Sequence, residues 1–482
     1  MPHSRSTTKH RKSAKRTPIA VHVNSTDDIS TNPRSCIVIG AGLSGLSAAH
    51  ALTKGNTSKE FWDVTILEAQ PFTGGRVYSY SFPQEPGLVC ELGGEWIGDD
   101  HHAIIKLCED FNLQTIPHRF DFFFFEEGRR SRQYRAGDSP FRGATRKKFD
   151  HLMKQTHIWG KAKKEALDKK DWWTLLRDIG FSENDLLRRD LMDSTDFGES
   201  IRHTGGYSAA SEYSDSDRFD EMDKKIVGGN HKLVDALEQA IRLQNGRILT
   251  SQHVTEIKQT KSPRRVVIRT ADGKTFRAHY CICTVPARTL TKIDFSPKLP
   301  DEQWDAAKQL QYCRIMKTAI LCETRFWMEH KGTKFSCFSD ATSDFVFDAT
   351  LGQPGRPGGP GILCSYAIGD KADDLWSYPE DALIAKLEHD LKDIFPYRPV
   401  HILSIKKQAW QHSKLTEGAY AFYRPGQWFP VREILATRLE NVLFAGEHIA
   451  DEQGFMDGAI DTGQDAAAEL MQHFKKKRQK KK

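Results

Sequence analysis

The sequence predicts an α/β fold with a Rossmann-like unit at its start, and three observations carry that reading. A β-branched run, "SCIVIG", leads through a glycine turn into "LSGLSAAHALTKG", which has helical spacing and closes at Gly55. A second buried strand, "WDVTILE", follows and ends in Glu68, completing a βαβ unit with the glycines at its first turn. The chain of 482 residues is too long for one simple core, and its later parts mix strands with helices, so a mixed α+β second domain is expected.

The elements after this unit follow in order. "LVCELGGEWIG" precedes a helix-like "DDHHAIIKLCEDFNL", with Asp99 or Asp100 suited to cap it. From Phe141 to about Asp190 the pattern is helical and rich in Lys, Trp and Leu. "KIVGGNHKLVDALEQAI" reads as a glycine turn entering an amphipathic helix. "GRILTSQHVTEIKQT" and "RRVVIRTADGKTFRAHYCICTVP" alternate as strands, with a turn at Asp272-Gly273. A Gly/Pro-rich loop, "LGQPGRPGGPG", precedes the helix-patterned "PEDALIAKLEHDLKDIF". The last ordered stretch gives a strand, "NVLFAG", a loop and a glycine-started helix.

Charge is unevenly placed. The first 17 residues hold six Lys or Arg and no acid, and "KKKRQKKK" at the end holds seven. Taking those thirteen charges from a formal net of +6 leaves the body at −7. Both tails are expected to be disordered. They serve either solubility or attachment to an anionic membrane or nucleic-acid surface, and composition alone does not choose. No reading motif for nucleic acid accompanies them. No apolar run approaches bilayer length and no secretory signal is visible. Nine cysteines without framework spacing fit reduced thiols in a cytoplasmic setting. Cys281 and Cys283 read as buried strand thiols rather than metal ligands, and "DDHH" as a helix start, so no metal is expected.

Gly40, Gly42 and Gly45 form a GxGxxG turn between strand and helix. Gly42 lets backbone approach a pyrophosphate, and Gly45 lets helix and sheet pack closely. Glu68 ends the next strand, where a carboxylate accepts ribose hydroxyls and disfavours a 2′-phosphate. Gly74-Gly75-Arg76 then adds flexible backbone and one cation where phosphates would sit.

These features, with "LEAQPFTGGRVYSY", "GGNHKLVDAL", "VPARTL…IDFSPKLP" and "LFAGEHIADEQGFMDGAIDTGQDAA", run in order from about residue 35 to 470. The chain thereby resembles the flavin-containing amine oxidase family, with monoamine oxidases and L-amino acid oxidases as its types. The resemblance implies a GR2-type flavoprotein: a Rossmann-like FAD-binding domain from 32–98, 225–298 and 412–474, and a substrate domain from 99–224 and 299–411. Residues 1–31 and 475–482 are then the basic tails.

Carried over residue by residue, the resemblance puts Gly40, Gly42, Gly45, Glu68, Gly75 and Arg76 at the adenosine-pyrophosphate site. Val254 matches the position whose backbone meets adenine, and Glu447 the carboxylate near the ribityl and pyrophosphate. Gly93, Trp410 and Gly446 join the cofactor-binding set. Met456 starts the last helix, whose N-terminus favours negative charge at the flavin N1/O2 edge. Lys317, ten residues before Trp327, matches the lysine that holds a water at flavin N5. Tyr420 and Phe455 match two aromatic side chains that flank the amine, Phe455 standing where tyrosine is more usual. Some members bind FAD through a cysteine just before that tyrosine. Here the position is Ala419, so FAD is expected to be noncovalent.

The implied reaction is oxidative deamination of a primary amine or an L-amino acid by hydride transfer to flavin N5. The products are an imine, then a carbonyl compound and ammonia, with O2 or another acceptor taking the electrons. An amino acid needs a cation for its carboxylate, and Arg119, Arg202 and Arg424 are the candidates. A desaturase or porphyrinogen-type oxidase shares the FAD frame, but Lys317 and Tyr420 count against it. A non-catalytic flavin-bearing binding protein is the remaining alternative.

Overall fold

The computed structural model describes residues 34–57, 61–215, 222–261, 264–328, 333–355, 358–451 and 453–479. A five-stranded parallel sheet has the spatial order Arg247–Leu249, Asp63–Leu67, Ser35–Ile39, Tyr280–Cys283, Val442–Phe444. Strands so separated in sequence meet because each is an apolar run that must bury both faces, as parallel strands do. Side chains alternate along the central strand. Cys36 and Val38 join Leu46, Ile66, Ile282 and Ile460 in the core beneath the helices. Ile37 and Ile39 join Val254, Val266 and Phe295 on the opposite face. The second face is covered by a four-stranded sheet, Thr275–Ala278, Arg264–Thr270, Val254–Lys261 and Asp294–Ser296, turned at Gly273 with φ +81°.

The helix Leu43–Thr53 packs on the C-terminal helix Met456–Gln479 through glycines. A Cβ on Gly45 would stand 2.0 Å from the Gly40 carbonyl oxygen, and one on Gly463 would stand 2.1 Å from that of Ser44. No side chain fits either gap.

A seven-stranded sheet forms the second body of the fold. Its order is Ile402–Ala409, Ile315–Cys322, Gly361–Ile368, Phe345–Asp348, Phe335–Ser339, Asp121–Glu126, Arg129–Arg130. Met316 and Ile320 face Leu387 and Leu391 of the helix Glu380–Ile394. The alternate residues Ile315, Ala319 and Leu321 face the other way, toward Leu92 and Trp410. Lys317 has the same parity and so points toward the parallel-sheet side. Five helices from Gly143 to Asp215 pack around Phe149, Trp172 and Leu176. The helical region therefore runs beyond Asp190.

Two expectations are corrected. The helix His102–Asp110 has His101 at its N-cap, with no side-chain cap bond, rather than Asp99 or Asp100. Asp457 Oδ1, from the C-terminal helix, accepts the Ile104 N–H at 2.7 Å, so the cap comes from across the fold. The last helix continues to Gln479, so residues 475–479 are helical rather than a disordered tail. Lys, Arg and Gln are good helix formers, and cations suit a helix C-terminus. Residues 1–33 and 480–482, with the surface-attachment reading of the tails, lie outside the described residues. All nine cysteines are buried free thiols. Among the described residues no helix is long and apolar enough to cross a membrane, and no group of three or more His, Cys, Asp or Glu is placed to hold a metal ion.

Candidate active site

A cavity of about 790 Å³ runs between the parallel sheet and the seven-stranded sheet. Gly40, Gly42, Glu68 and Val254 line one end, and Lys317, Tyr420 and Tyr366 line the other. Every one of the residues predicted to hold the cofactor or act in catalysis lines it except Gly45, which lies beneath as the packing glycine.

The glycine end is built by backbone geometry. Gly40 takes φ +101°, and its N–H donates to Leu67 O at 2.8 Å, turning the chain off the strand. Gly74 N–H donates to Ala41 O at 2.8 Å, laying the "GGR" loop against the first turn. A Cβ on Gly75 would come within 3.2 Å of Gly42 Cα, and Gly75 itself has φ +58°. The helix Leu43–Thr53 starts at Gly42 with no side-chain cap, leaving first-turn N–H groups to an incoming anion. Ser44 Oγ, buried and lining the cavity, has no hydrogen-bond partner among the described residues.

Glu68 is held rigidly. Its Oε2 accepts the Ala41 N–H at 2.6 Å and its Oε1 the Gln70 N–H at 2.8 Å. Burial raises its carboxyl above the ordinary range, and these backbone bonds pull it partly back. Gln252 N–H donates to Glu68 O at 2.7 Å, which fixes the strand carrying Val254 beside it. Arg76 Nη1 donates to Glu447 Oε1 at 2.7 Å and to Ala419 O at 2.7 Å. Burial would lower the proton affinity of Arg76, but Glu447 and Tyr312 outweigh it and raise it. Glu447 Oε2 also accepts the Gly454 N–H at 3.1 Å. Gly446 has no room for a side chain, since a Cβ would meet the His448 ring at 2.6 Å. A rigidly held carboxylate at one end, glycine-only backbone, an uncapped helix start and an unpartnered serine hydroxyl fit an FAD molecule lying along this cavity.

Lys317 is not a solvent-facing lysine. Its strand lies inside the sheet, and Nζ donates to Glu95 Oε2 at 2.7 Å, Gly93 O at 3.0 Å and Glu91 O at 3.3 Å. The Trp96 and Tyr366 rings stand 5.1 and 5.6 Å from it. Glu95 Oε1 pairs with His118 Nε2 at 2.7 Å, and neither side chain has any exposure. Burial opposes ionisation of Glu95, yet Lys317 and His118 hold its carboxyl down at about 2. Lys317 is raised, because Glu95 outweighs its desolvation. Glu95, His118 and Tyr366 were not singled out from sequence. Glu95 stood in plain view as an acid inside the apolar "GGEWIG", while nothing local marks His118.

Tyr420 donates from its hydroxyl to Asp196 O at 2.8 Å and lies 3.5 Å from the Tyr366 hydroxyl. Its ring abuts Gly454, where a Cβ would sit 3.1 Å away. Phe455 lines the same cavity with its ring 5.1 Å from His101. Trp410 Nε1 donates to Leu92 O at 3.0 Å, so the indole presents its ring to the cavity fully satisfied. Phe120, Phe338 and Phe345 complete an aromatic wall. Met456 begins the 24-residue C-terminal helix and lines the cavity, aiming that N-terminus inward. Of the three candidate arginines, only Arg119 lines the cavity, with Nη2 donating to Ala136 O at 2.9 Å. Arg202 stacks over the Trp173 ring at 3.2 Å, and Arg424 is exposed.

Comparison with known proteins agrees with this geometry. The family model described as flavin containing amine oxidoreductase matches residues 43–471. The chain is 25% identical to an L-amino-acid oxidase of Bothrops moojeni, over 91% of this chain and 90% of that one. It is 26% identical to an L-amino acid oxidase of Crotalus durissus cumanensis, over 92% and 91%. Among solved structures, its fold is similar to putrescine oxidase bound to putrescine, with TM-score 0.77, 21% identity, and 91% and 99% of the two chains covered. It is equally similar to cyclohexylamine oxidase from Brevibacterium oxydans, with TM-score 0.77, 21% identity, and 92% and 100% covered.

Proposed function

The chain belongs to the flavin-containing amine oxidoreductase family, and we propose that it oxidises a primary amine, with O2 as the electron acceptor. The observation that carries this reading is Lys317, a buried ammonium in the same cavity as the Tyr420 and Tyr366 rings. Bound FAD supplies the acceptor for two electrons and the hydride from the carbon beside the nitrogen. The overall change takes amine, water and O2 to carbonyl compound, ammonia and H2O2.

The residues divide this work by position. Tyr420, Tyr366 and Phe455 present aromatic surface that orients the amine and excludes water. Lys317, kept protonated by Glu95, supplies a fixed positive charge where oxygen is reduced. Gly42, Ser44, Glu68 and Arg76 with Glu447 hold the far part of the cofactor.

A second reading, oxidation of an L-amino acid, is favoured by Arg119, a cation among the cavity-lining residues that suits a carboxylate. The L-amino-acid oxidases among the relatives add to it. Peroxide release from the holoprotein, measured against primary amines and L-amino acids, tests both readings. Arg119→Met should leave amine turnover intact and abolish amino-acid turnover if the carboxylate reading holds. Silence across both panels, with FAD bound and reducible by an artificial donor, would sink the proposal.

A further inference from the structure

The helices Gly143–Ile158 and Lys161–Asp168 are joined by Trp159 and Gly160 alone, and both pack on the helix Gly206–Asp215. The first buries Phe149, Leu152 and Met153 in the core around Trp172. Lys147, His151, Lys154 and Ile158 are exposed at helical spacing, so they form one stripe facing solvent. Ile158 ends that stripe with 71% of its surface exposed. Lys161 and Lys163 follow, both exposed, and the Lys163 ammonium stands 4.6 Å from the Trp159 ring. Charge sets this corner apart. Residues 142–170 hold ten Lys or Arg and three acids, within a body whose formal charge is −7 once the tails are left out. The three acids do not offset the stripe: Asp168 is buried, Asp150 pairs with Arg146 at 2.6 Å, and Glu165 lies 3.9 Å from Lys161. Among the described residues no carboxylate pairs with Lys147, Lys154 or Lys163.

We propose that this corner docks on an anionic phospholipid surface, with Ile158 entering the acyl boundary and the lysines around it held at the head groups. Two features favour a bilayer over the other polyanions that a basic stripe attracts. An exposed isoleucine gains by leaving water for acyl chains, whereas a nucleic-acid backbone offers it no apolar site. Eight of the ten cations are lysines, whose long stems let the ammonium stay at the head groups while the helix end sinks beneath them. A mainly acidic body repels an anionic membrane everywhere else, so the charge also fixes the orientation in which the protein lands. The inference depends neither on the two basic tails nor on which amine the cavity takes.

The test uses the full-length holoprotein and vesicles of phosphatidylcholine with or without phosphatidylserine. Wild type should sediment with the phosphatidylserine vesicles, remain free of the others, and be released as salt is raised. Replacing Lys147, Lys154, Lys161 and Lys163 together by Glu should weaken that binding at least about tenfold, with bound flavin unchanged. A second readout leaves every lysine in place. All nine native cysteines are buried, so Ile158→Cys takes an environment-sensitive dye at that position alone. Its emission should shift to the blue on phosphatidylserine vesicles and be quenched by brominated acyl chains. Wild type that ignores the vesicles overturns the proposal. So does a fourfold variant that keeps its flavin and binds as wild type does, since the tails then carry the attachment. A dye that stays in water on vesicle-bound protein overturns it as well. Binding of duplex DNA that the four substitutions abolish, with vesicles ignored, overturns it in favour of a nucleic-acid partner.

Discussion

Glu95 lies between two nitrogen groups where water does not reach, and its ionisation decides what both of them can do. Its folded carboxyl at about 2 lies below the ordinary 4.5. The stability it contributes is therefore complete above about 4.5 and is lost as pH falls toward 2, an amount of roughly 3 kcal/mol. Glu95→Gln leaves the Lys317 charge buried without its counter-ion, which should cost about 3–5 kcal/mol at neutral pH. The difference between wild type and variant should shrink as the pH drops through that window, read by urea unfolding at each pH. Lys317→Met removes the cation instead. It should retain FAD but slow reaction of the reduced enzyme with oxygen on the order of tenfold or more. An unchanged reoxidation rate in rapid mixing would remove the role proposed for Lys317.

At the scale of elements, the nucleotide end is a matter of how closely backbones approach. Gly45 and Gly463 let the first and last helices touch the turn and each other. Gly463→Ala puts a methyl against the Ser44 carbonyl and should destabilise by about 1–3 kcal/mol with loss of bound flavin. Gly55→Ala faces open space and should change stability by less than about 0.5 kcal/mol. Melting the two variants side by side checks both.

This is also the scale at which the sequence was most readable. The βαβ unit, the turn at Asp272-Gly273 and the helix His231–Leu243 are written in local periodicity and turn residues. The Ile104 cap is not, because Asp457 lies 353 positions away. For the same reason the family resemblance reached Lys317 but not its partners. Glu95 is 222 residues from Lys317, and only the packing of "GGEWIG" under the seven-stranded sheet makes them a pair. An isolated His118 carries no signal of its own until that carboxylate is placed.

For the whole molecule, one ion pair ties the beginning of the chain to its end. Arg76 and Glu447 are 371 residues apart and meet at 2.7 Å beside Ala419 and Gly454. Arg76→Met should cost about 3–5 kcal/mol, since it leaves Glu447 buried without its cation, and should weaken FAD retention in the same samples. With Ala419 where a cysteine would form a thioether, acid denaturation should release all of the flavin into the supernatant. In the proposed reaction this cavity passes electrons from a carbon–nitrogen bond to bound flavin. The most direct measurement is anaerobic mixing of the purified holoprotein with primary amines and L-amino acids while the flavin's visible absorbance is followed. Bleaching by at least one of them, with recovery and H2O2 release when oxygen is admitted, is the predicted result. A flavin that dithionite reduces but no amine or amino acid bleaches would contradict it.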